Sequence, residues 1–204
     1  MIAEISISTL FQLILFSLIP FIWWLFSARK NENFFSWIGL KKPKLDKPIK
    51  VFILMFLSLA LLLIPGLVLI LSIEDKSVLA SAKFAGTGFE GVICILIYAI
   101  LQTSLSEEIL FRGFLNKRLS GKFGFSTGNT VQALLFGLLH GVLLFNSAAL
   151  LLVILIVVFT SAVGWFMGYL NEKLGNGSIV LSWVIHSLTN LITGFIFWFG
   201  IITA

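Results

Sequence analysis

A small set of polar side chains stands out in a chain that is otherwise strongly apolar. The set consists of two glutamates, an arginine, the only two histidines of the chain and an asparagine: Glu107, Glu108, Arg112, His140, His186 and Asn190. In lipid, a charged or strongly polar side chain is costly and usually faces the protein interior or a water-filled cavity. These six residues are therefore candidates for a functional site.

Helical spacing suggests different tasks within this set. Glu108 and Arg112 are four residues apart, so they share a helix face and can pair, which lowers the cost of burying each charge. Glu107 lies about 100° around the helix from Glu108, so we expect one carboxylate to hold the arginine and the other to remain free for chemistry. His186 and Asn190 are also four residues apart and can jointly address one atom of a bound substrate.

The composition predicts an all-α integral membrane protein. Hydrophobic residues make up 59% of the chain and charged residues 11%, and the mean hydropathy is +1.08, far from the balance of soluble proteins. We expect a bundle of about six transmembrane helices around a polar intramembrane cavity. Residues 1–204 should form a single membrane domain, in which 1–87 supply two helices with their loops and 88–200 carry the polar set.

The net charge of +5 does not indicate nucleic acid. The basic residues lie between apolar segments, where they mark the cytoplasmic face of a membrane. The lipid bilayer is thus the expected partner and nucleic acid is not. Cys94 is the only cysteine and lies in an apolar run, so we expect it to be a small buried hydrophobe.

Six apolar segments are long enough to cross a bilayer. They cover 5–27, 50–73, 89–118, 128–145, 148–170 and 178–200. The third would extend roughly 45 Å as a helix, which exceeds the hydrocarbon thickness, so its second half should emerge from the membrane. The first lacks a basic residue ahead of it and a small-residue cleavage site behind it, which favours a retained helix over a signal peptide.

The distribution of lysine and arginine predicts the orientation. The connection 28–50 is the most basic, so it should be cytoplasmic, and alternation then makes both termini extracytoplasmic in a multi-pass cell-membrane protein. Within that connection, residues 33–40 combine aromatic side chains with a basic flank. This pattern fits a stretch at the lipid headgroups and fits an ordinary cytoplasmic loop equally well.

The predicted orientation places four of the polar residues at similar depth. Counted from the cytoplasmic ends of their helices, Glu107, His140, His186 and Asn190 lie roughly 15, 18, 12 and 18 Å into the membrane. Three helices that are separate in sequence can therefore present these groups to one cavity. An intramembrane site requires such an arrangement.

Each residue taken alone also has a structural explanation. A buried histidine can bond to a backbone carbonyl, a Glu–Arg pair can be purely structural, and an asparagine can bridge helices. Phe136, one turn before His140, can simply be part of the core, with its ring packed beneath the imidazole. The structural explanation is weaker for the whole set, because a membrane core has no evident need for all of these groups together.

Three segments of the sequence resemble the motifs of a known family. Glu107-Glu108-Ile109-Leu110-Phe111-Arg112, Phe136-Gly137-Leu138-Leu139-His140 and His186-Ser187-Leu188-Thr189-Asn190 are similar to the motifs EExxxR, FxxxH and HxxxN of the CPBP intramembrane proteases. This family includes the Rce1-like CAAX prenyl proteases and the bacteriocin-processing and immunity proteins also called Abi. The resemblance covers about residues 88–200, and the motif positions match without departure.

The resemblance implies a metal-independent glutamate endopeptidase without a cofactor. By family analogy, Glu107 is the general base, His140 helps to hold the water, and His186 and Asn190 donate to the oxyanion, while Glu108 and Arg112 support the motif helix. Peptide hydrolysis needs a base and oxyanion donors of this kind. A zinc site is the alternative, but the sequence has no H-E-x-x-H pair, so its ligands would have to come from separate helices.

The implied substrate is a membrane-associated peptide or protein tail, cleaved near the cytoplasmic face during peptide maturation or CAAX-type processing. Two other functions remain open from the sequence. The same cavity can serve a non-catalytic bacteriocin-immunity or scaffold protein, or a proton-coupled transporter, since Glu and His also form proton relays. The sequence does not indicate the oligomeric state or the substrate.

Overall fold

The computed structural model describes residues 1–203, and helices dominate this part of the chain. We label the helices α1 to α7 in chain order. Their bounds are α1 Ile2–Ser27, α2 Phe34–Trp37, α3 Pro48–Leu71, α4 Gly88–Phe123, α5 Phe125–Leu144, α6 Leu150–Leu174 and α7 Val180–Trp198. All but the short α2 are long and apolar enough to cross a membrane, which confirms the six predicted spans and the all-helical class.

The third span, α4, is the longest of the spans at 36 residues. Two stretches of it, Ile97–Leu105 and Glu108–Asn116, have the wider π-helical turn, a geometry that is rare and often occurs at functional sites. The helix ends before Gly124, whose φ of +82° suits a residue without a side chain. Because α5 begins directly after this glycine, α4 and α5 pack as neighbours.

The closest helix pair, α5 and α6, depends on small residues. A Cβ atom added to Gly137 would lie 2.0 Å from the Ser161 hydroxyl oxygen and 2.5 Å from a backbone oxygen of α6. A larger residue cannot fit there without moving a backbone, as is typical of membrane helix interfaces with small side chains. This contact fixes the part of α5 that carries Phe136 and His140.

The two N-terminal spans are less buried than the four that follow. Only 17% of the most apolar window of α1 and 6% of that of α3 is buried, compared with 28–39% for α4 to α7. α1 packs against α4, and α3 packs against α6 and α7. Cys94 on α4 is fully buried in an apolar cluster, as predicted.

One end of the bundle, which we call the basic end, is covered by the connection between α1 and α3. The backbone N–H of Ile179 donates to the Gly39 carbonyl at 2.9 Å, and the Lys117 amine donates to the Gly177 carbonyl at 2.7 Å. Trp37 and Ile38 of this connection are buried against the bundle. Phe34, Trp37, Ile38 and Leu40 pack against residues of α4 and beside the start of α7, whereas Phe35 is exposed; a position of residues 33–40 at the headgroups stays a prediction.

The opposite end, which we call the terminal end, carries both chain termini. The backbone N–H of Ile2 donates to the Glu90 carboxylate at 3.1 Å, at the start of α4. Ile202 packs with Ala82 and Phe197 beside the connection 72–87. The termini thus share one end and the basic connection 28–50 lies at the other, as alternation of the spans requires; which end faces the cytoplasm stays a prediction.

Candidate active site

Glu108 is the centre of a fully buried ion-pair network. Its carboxylate lies 3.1 Å from Arg112 Nη1 and 3.2 Å from His186 Nδ1, and it accepts a hydrogen bond from the Ser182 hydroxyl. Glu108 and Arg112 have no solvent-exposed side-chain area. The predicted i,i+4 ion pair is therefore present, and α7 contributes two further partners to the carboxylate.

The network continues through a layer of buried polar side chains toward the basic end. Asn171 donates to the Ser182 hydroxyl at 2.6 Å and accepts from the Ser182 backbone N–H at 3.2 Å. The polar layer, as we call it from here, consists of fully buried residues from α4, α5, α6 and α7: Glu108, Arg112, Asn116, Asn129, Gln132, Asn171 and Ser182. Glu108, Ser182 and Asn171 bond to one another, and Gln132 donates to Asn129, which lowers the cost of burying these groups.

Glu107 occupies a different environment although it is the next residue. Of its side-chain area, 13% is exposed, and the side chain lines the large cavity of the bundle. Its Oε2 atom has no hydrogen-bond partner among residues 1–203 and lies 3.7 Å from His186 Nε2. That distance is too long for a direct hydrogen bond.

The contacts of His186 constrain its protonation. A carboxylate can only accept hydrogen bonds, so the contact with Glu108 requires the proton on Nδ1. In the neutral ring, Nε2 is then an acceptor facing Glu107, and it becomes a donor only in the imidazolium form. Glu108 thus orients His186 in the way that a carboxylate orients a catalytic histidine.

Phe136 connects the polar layer to His140. Its ring lies 4.1 Å from the guanidinium carbon of Arg112, within the range of a cation–π contact. Its centroid is 4.5 Å from the His140 ring, as the spacing predicts. His140 Nδ1 contacts the Phe136 carbonyl oxygen at 2.9 Å, so Nδ1 carries a proton and Nε2 is left for the cavity that His140 lines.

Asn190 also lines the cavity but is held by α4. Its amide nitrogen donates to the hydroxyls of Thr103 at 2.9 Å and Ser104 at 3.1 Å. His186 contacts the glutamates instead, so in this structure the two residues do not converge on one atom. The spacing within α7 could not reveal this, because the hydroxyl partners come from another helix.

The cavity has a volume of about 750 Å³ and all six spans line it, a size in the range of ligand sites. Its walls are mostly apolar, with Glu107, His140, His186 and Asn190 together at one wall region. The sequence predicts cleavage near the cytoplasmic face, which the basic connection should mark, but the cavity extends toward the terminal end, as far as Ile73 and Leu144. The physical reason is the polar layer, which fills the space on the other side.

Sequence reasoning missed several polar residues that the structure brings to the site. Ser182 and Asn171 hold Glu108, and Lys83 lies at the cavity wall with its amine 4.4 Å from the Tyr98 ring. Burial lowers the pKa of the Lys83 amine from its ordinary value. Ser182 was detectable, since it lies one turn before His186. Among residues 1–203, no group of three or more His, Cys, Asp or Glu side chains is arranged to hold a metal ion.

Fold and site together define an all-helical membrane protein with a carboxylate–histidine site in its interior. The family model described as type II CAAX prenyl endopeptidase Rce1-like matches residues 89–192, half of the 204-residue chain, and the chain belongs to this family. The matched region includes every residue of the three motifs. Comparisons with curated proteins and with solved structures find no match.

Proposed function

We propose that the protein is an intramembrane glutamate-dependent endopeptidase that hydrolyses a peptide bond in a membrane-associated peptide or protein tail. One observation carries the proposal: of two adjacent glutamates, Glu108 is fully buried in contact with Arg112, whereas Glu107 faces the cavity with an oxygen that has no hydrogen-bond partner among residues 1–203. A general base needs a carboxylate that can reach water.

In this mechanism, Glu107 takes a proton from the attacking water and passes it to the leaving amine. His140 Nε2 helps to hold the water, and Phe136 supports the His140 ring. His186, held by Glu108, donates to the oxyanion from Nε2 when its ring is protonated. Asn190 acts as a second donor once the substrate oxygen replaces a hydroxyl partner on α4.

The substrate class follows from the family and the cavity walls. Family membership favours CAAX-type processing, and the apolar walls favour a peptide with apolar side chains or a lipid group. A non-catalytic binding protein would use the same cavity without needing the proton-accepting property of Glu107. The distinction therefore depends on this carboxylate.

The test is cleavage by protein reconstituted in lipid vesicles. The probe is a mixture of synthetic peptides with apolar C-terminal tails, with and without an S-prenylated cysteine, and mass spectrometry identifies the products. Glu107→Gln should lower the cleavage rate by about 10²–10⁴-fold, the usual contribution of a general base. Glu4→Gln, at a carboxylate with 87% of its side-chain area exposed, is the control and should cleave as the parent does.

Cleavage of the prenylated peptides alone would establish CAAX-type selectivity. Parental cleavage by Glu107→Gln would refute the proposed base. If the parent cleaves no peptide and Glu107→Gln retains biological function in cells, the protein is a non-catalytic binding protein.

A further inference from the structure

The cavity extends from the candidate site toward the terminal end of the bundle. Glu107 and His186 lie at its inner limit. From there, its lining continues on successive spans to residues close to the terminal end, namely Ser8 on α1, Ile73 after α3, Leu144 at the end of α5 and Thr193 on α7. Residues 78–81 of the connection between α3 and α4 complete this side of the wall.

The opposite direction is closed by packed side chains. Next to Glu107, the members of the polar layer are fully buried. Beyond them, Ile38 and Ile179 are also fully buried, where the connection 28–50 packs onto the bundle. Fully buried side chains thus separate Glu107 from the basic end.

The charges of the two ends differ strongly. Eleven of the fourteen lysines and arginines lie at or near the basic end: Arg29, Lys30, Lys41, Lys42, Lys44, Lys47, Lys50, Lys117, Arg118, Lys122 and Lys173. The terminal end carries only Lys76 and Lys83, and Arg112 is buried. Basic residues in short connections near span ends are retained in the cytoplasm, so the basic end should be cytoplasmic.

From these observations we infer that the cavity opens to the extracytoplasmic side and that the peptide substrate reaches Glu107 from there. The inference rests on the proposed function for the identity of the substrate, but the direction of the opening does not depend on catalysis. It assigns the substrate class as peptides presented at the outer face of the membrane, in place of the cleavage near the cytoplasmic face that the family resemblance implies. Water for hydrolysis enters from the same side.

The outer half of the bundle also provides a lateral route for apolar segments. α1 packs against α4 while α3 packs against α6 and α7, so the two helices that flank the cavity are attached to different parts of the core. Phe11 and Leu15 on α1 line the cavity and still expose 67% and 51% of their area. A peptide with an apolar segment in the outer leaflet can therefore reach the cavity through its side.

Thiol labelling in cells tests the direction of the opening. Single cysteines are introduced by Val78→Cys at the wall near the terminal end, Thr193→Cys within the cavity and Lys44→Cys in the basic connection. A small charged, membrane-impermeant thiol reagent should label the first two in intact cells and Lys44→Cys only after permeabilisation. The parent gives the background, because its one thiol, Cys94, is fully buried.

A matched control distinguishes labelling from the cavity from labelling at the lipid face of the same helix. Leu188 on α7 is 40% exposed and does not line the cavity, so Leu188→Cys should stay at background in intact and permeabilised cells. The labelling pattern should persist when Glu107→Gln is added to each variant. A failure of proteolysis is thereby distinguished from a failure of the inferred opening.

Three results would overturn the inference. Labelling of Lys44→Cys in intact cells with Val78→Cys protected would show the inverse orientation. Labelling of Thr193→Cys only after permeabilisation, with Val78→Cys labelled in intact cells, would show a cytoplasmic opening. Thr193→Cys at background in both conditions would show that the cavity is closed to water.

Discussion

The polar layer and the cavity adjoin each other, and the boundary between them runs between two consecutive glutamates. Glu108 has no exposed side-chain area and contacts an arginine, a histidine and a serine. Glu107 keeps 13% of its area exposed and lies in the cavity wall. Glu108 is thus held in the protein interior by its neighbours, whereas Glu107 is accessible from the cavity.

This difference determines what a substitution should change. In the polar layer, contacts with Arg112, His186 and Ser182 compensate the burial of the Glu108 carboxylate, so removal of one partner leaves an uncompensated charge or hydrogen-bonding group. At the cavity wall, Glu107 has a carboxylate oxygen without a hydrogen-bond partner among residues 1–203, so its substitution should affect chemistry and leave the fold intact. The predictions below follow this division from the largest expected effect to the smallest.

Arg112→Met should destabilise the protein most, by about 3–5 kcal/mol, because it leaves the Glu108 carboxylate buried without its cation. Thermal unfolding of purified protein in detergent measures the effect. The control is Arg29→Met, at an exposed arginine of the basic connection, which should leave the unfolding temperature unchanged. Parental stability of Arg112→Met would show that the ion pair does not support the layer.

A double variant sharpens this test. Glu108→Gln combined with Arg112→Met removes both charges, and it should cost less than the sum of the two single changes because neither charge remains uncompensated. Additive losses would mean that the two residues act independently, in contradiction to their 3.1 Å contact.

Ser182→Ala should have a smaller effect than removal of either charge of the ion pair. It removes a hydrogen bond to the Glu108 carboxylate and leaves Asn171 without its hydroxyl partner, a loss of about 1.5–3 kcal/mol for a bond to a charged group. Ser187→Ala on the same helix is the matched control, because the Ser187 hydroxyl has no hydrogen-bond partner among residues 1–203. Equal losses of stability in the two variants would show that the hydrogen bonds of Ser182 do not stabilise the polar layer.

Residue spacing and hydropathy predicted the spans and the contacts within single helices. The six spans follow from runs of apolar residues, and their ends agree within a few residues. The contact between Glu108 and Arg112 follows from one helix face, as does the packing of Phe136 against His140. Each of these contacts joins residues only four positions apart.

Contacts between helices could not be predicted in the same way. The bond from Ser182 to Glu108 joins residues 74 positions apart, and Asn190 finds its partners on α4. The direction of the cavity depends on how Trp37 and Ile38 pack at the basic end and on the loose packing of α1 and α3. Packing between helices leaves no periodic pattern of residues in the sequence from which it could be predicted.

A strong chelator should have no effect on cleavage, which is the smallest effect predicted here. The proposed chemistry uses Glu107, His140, His186 and Asn190 without a metal ion. Peptide cleavage is measured before and after treatment, together with the metal content of the purified protein. Stoichiometric zinc together with chelator-sensitive cleavage would contradict the glutamate mechanism.

The central claim is that adjacent glutamates have different tasks, and paired measurements on Glu107→Gln and Glu108→Gln test it most directly. For each variant, unfolding in detergent and the rate of peptide cleavage are measured on the same preparation. Glu107→Gln should lower the cleavage rate by about 10²–10⁴-fold with a much smaller loss of stability than Glu108→Gln, which should lose about 3–5 kcal/mol because Arg112 is left unpaired. Equal destabilisation by the two variants, or cleavage that survives Glu107→Gln, would contradict the account.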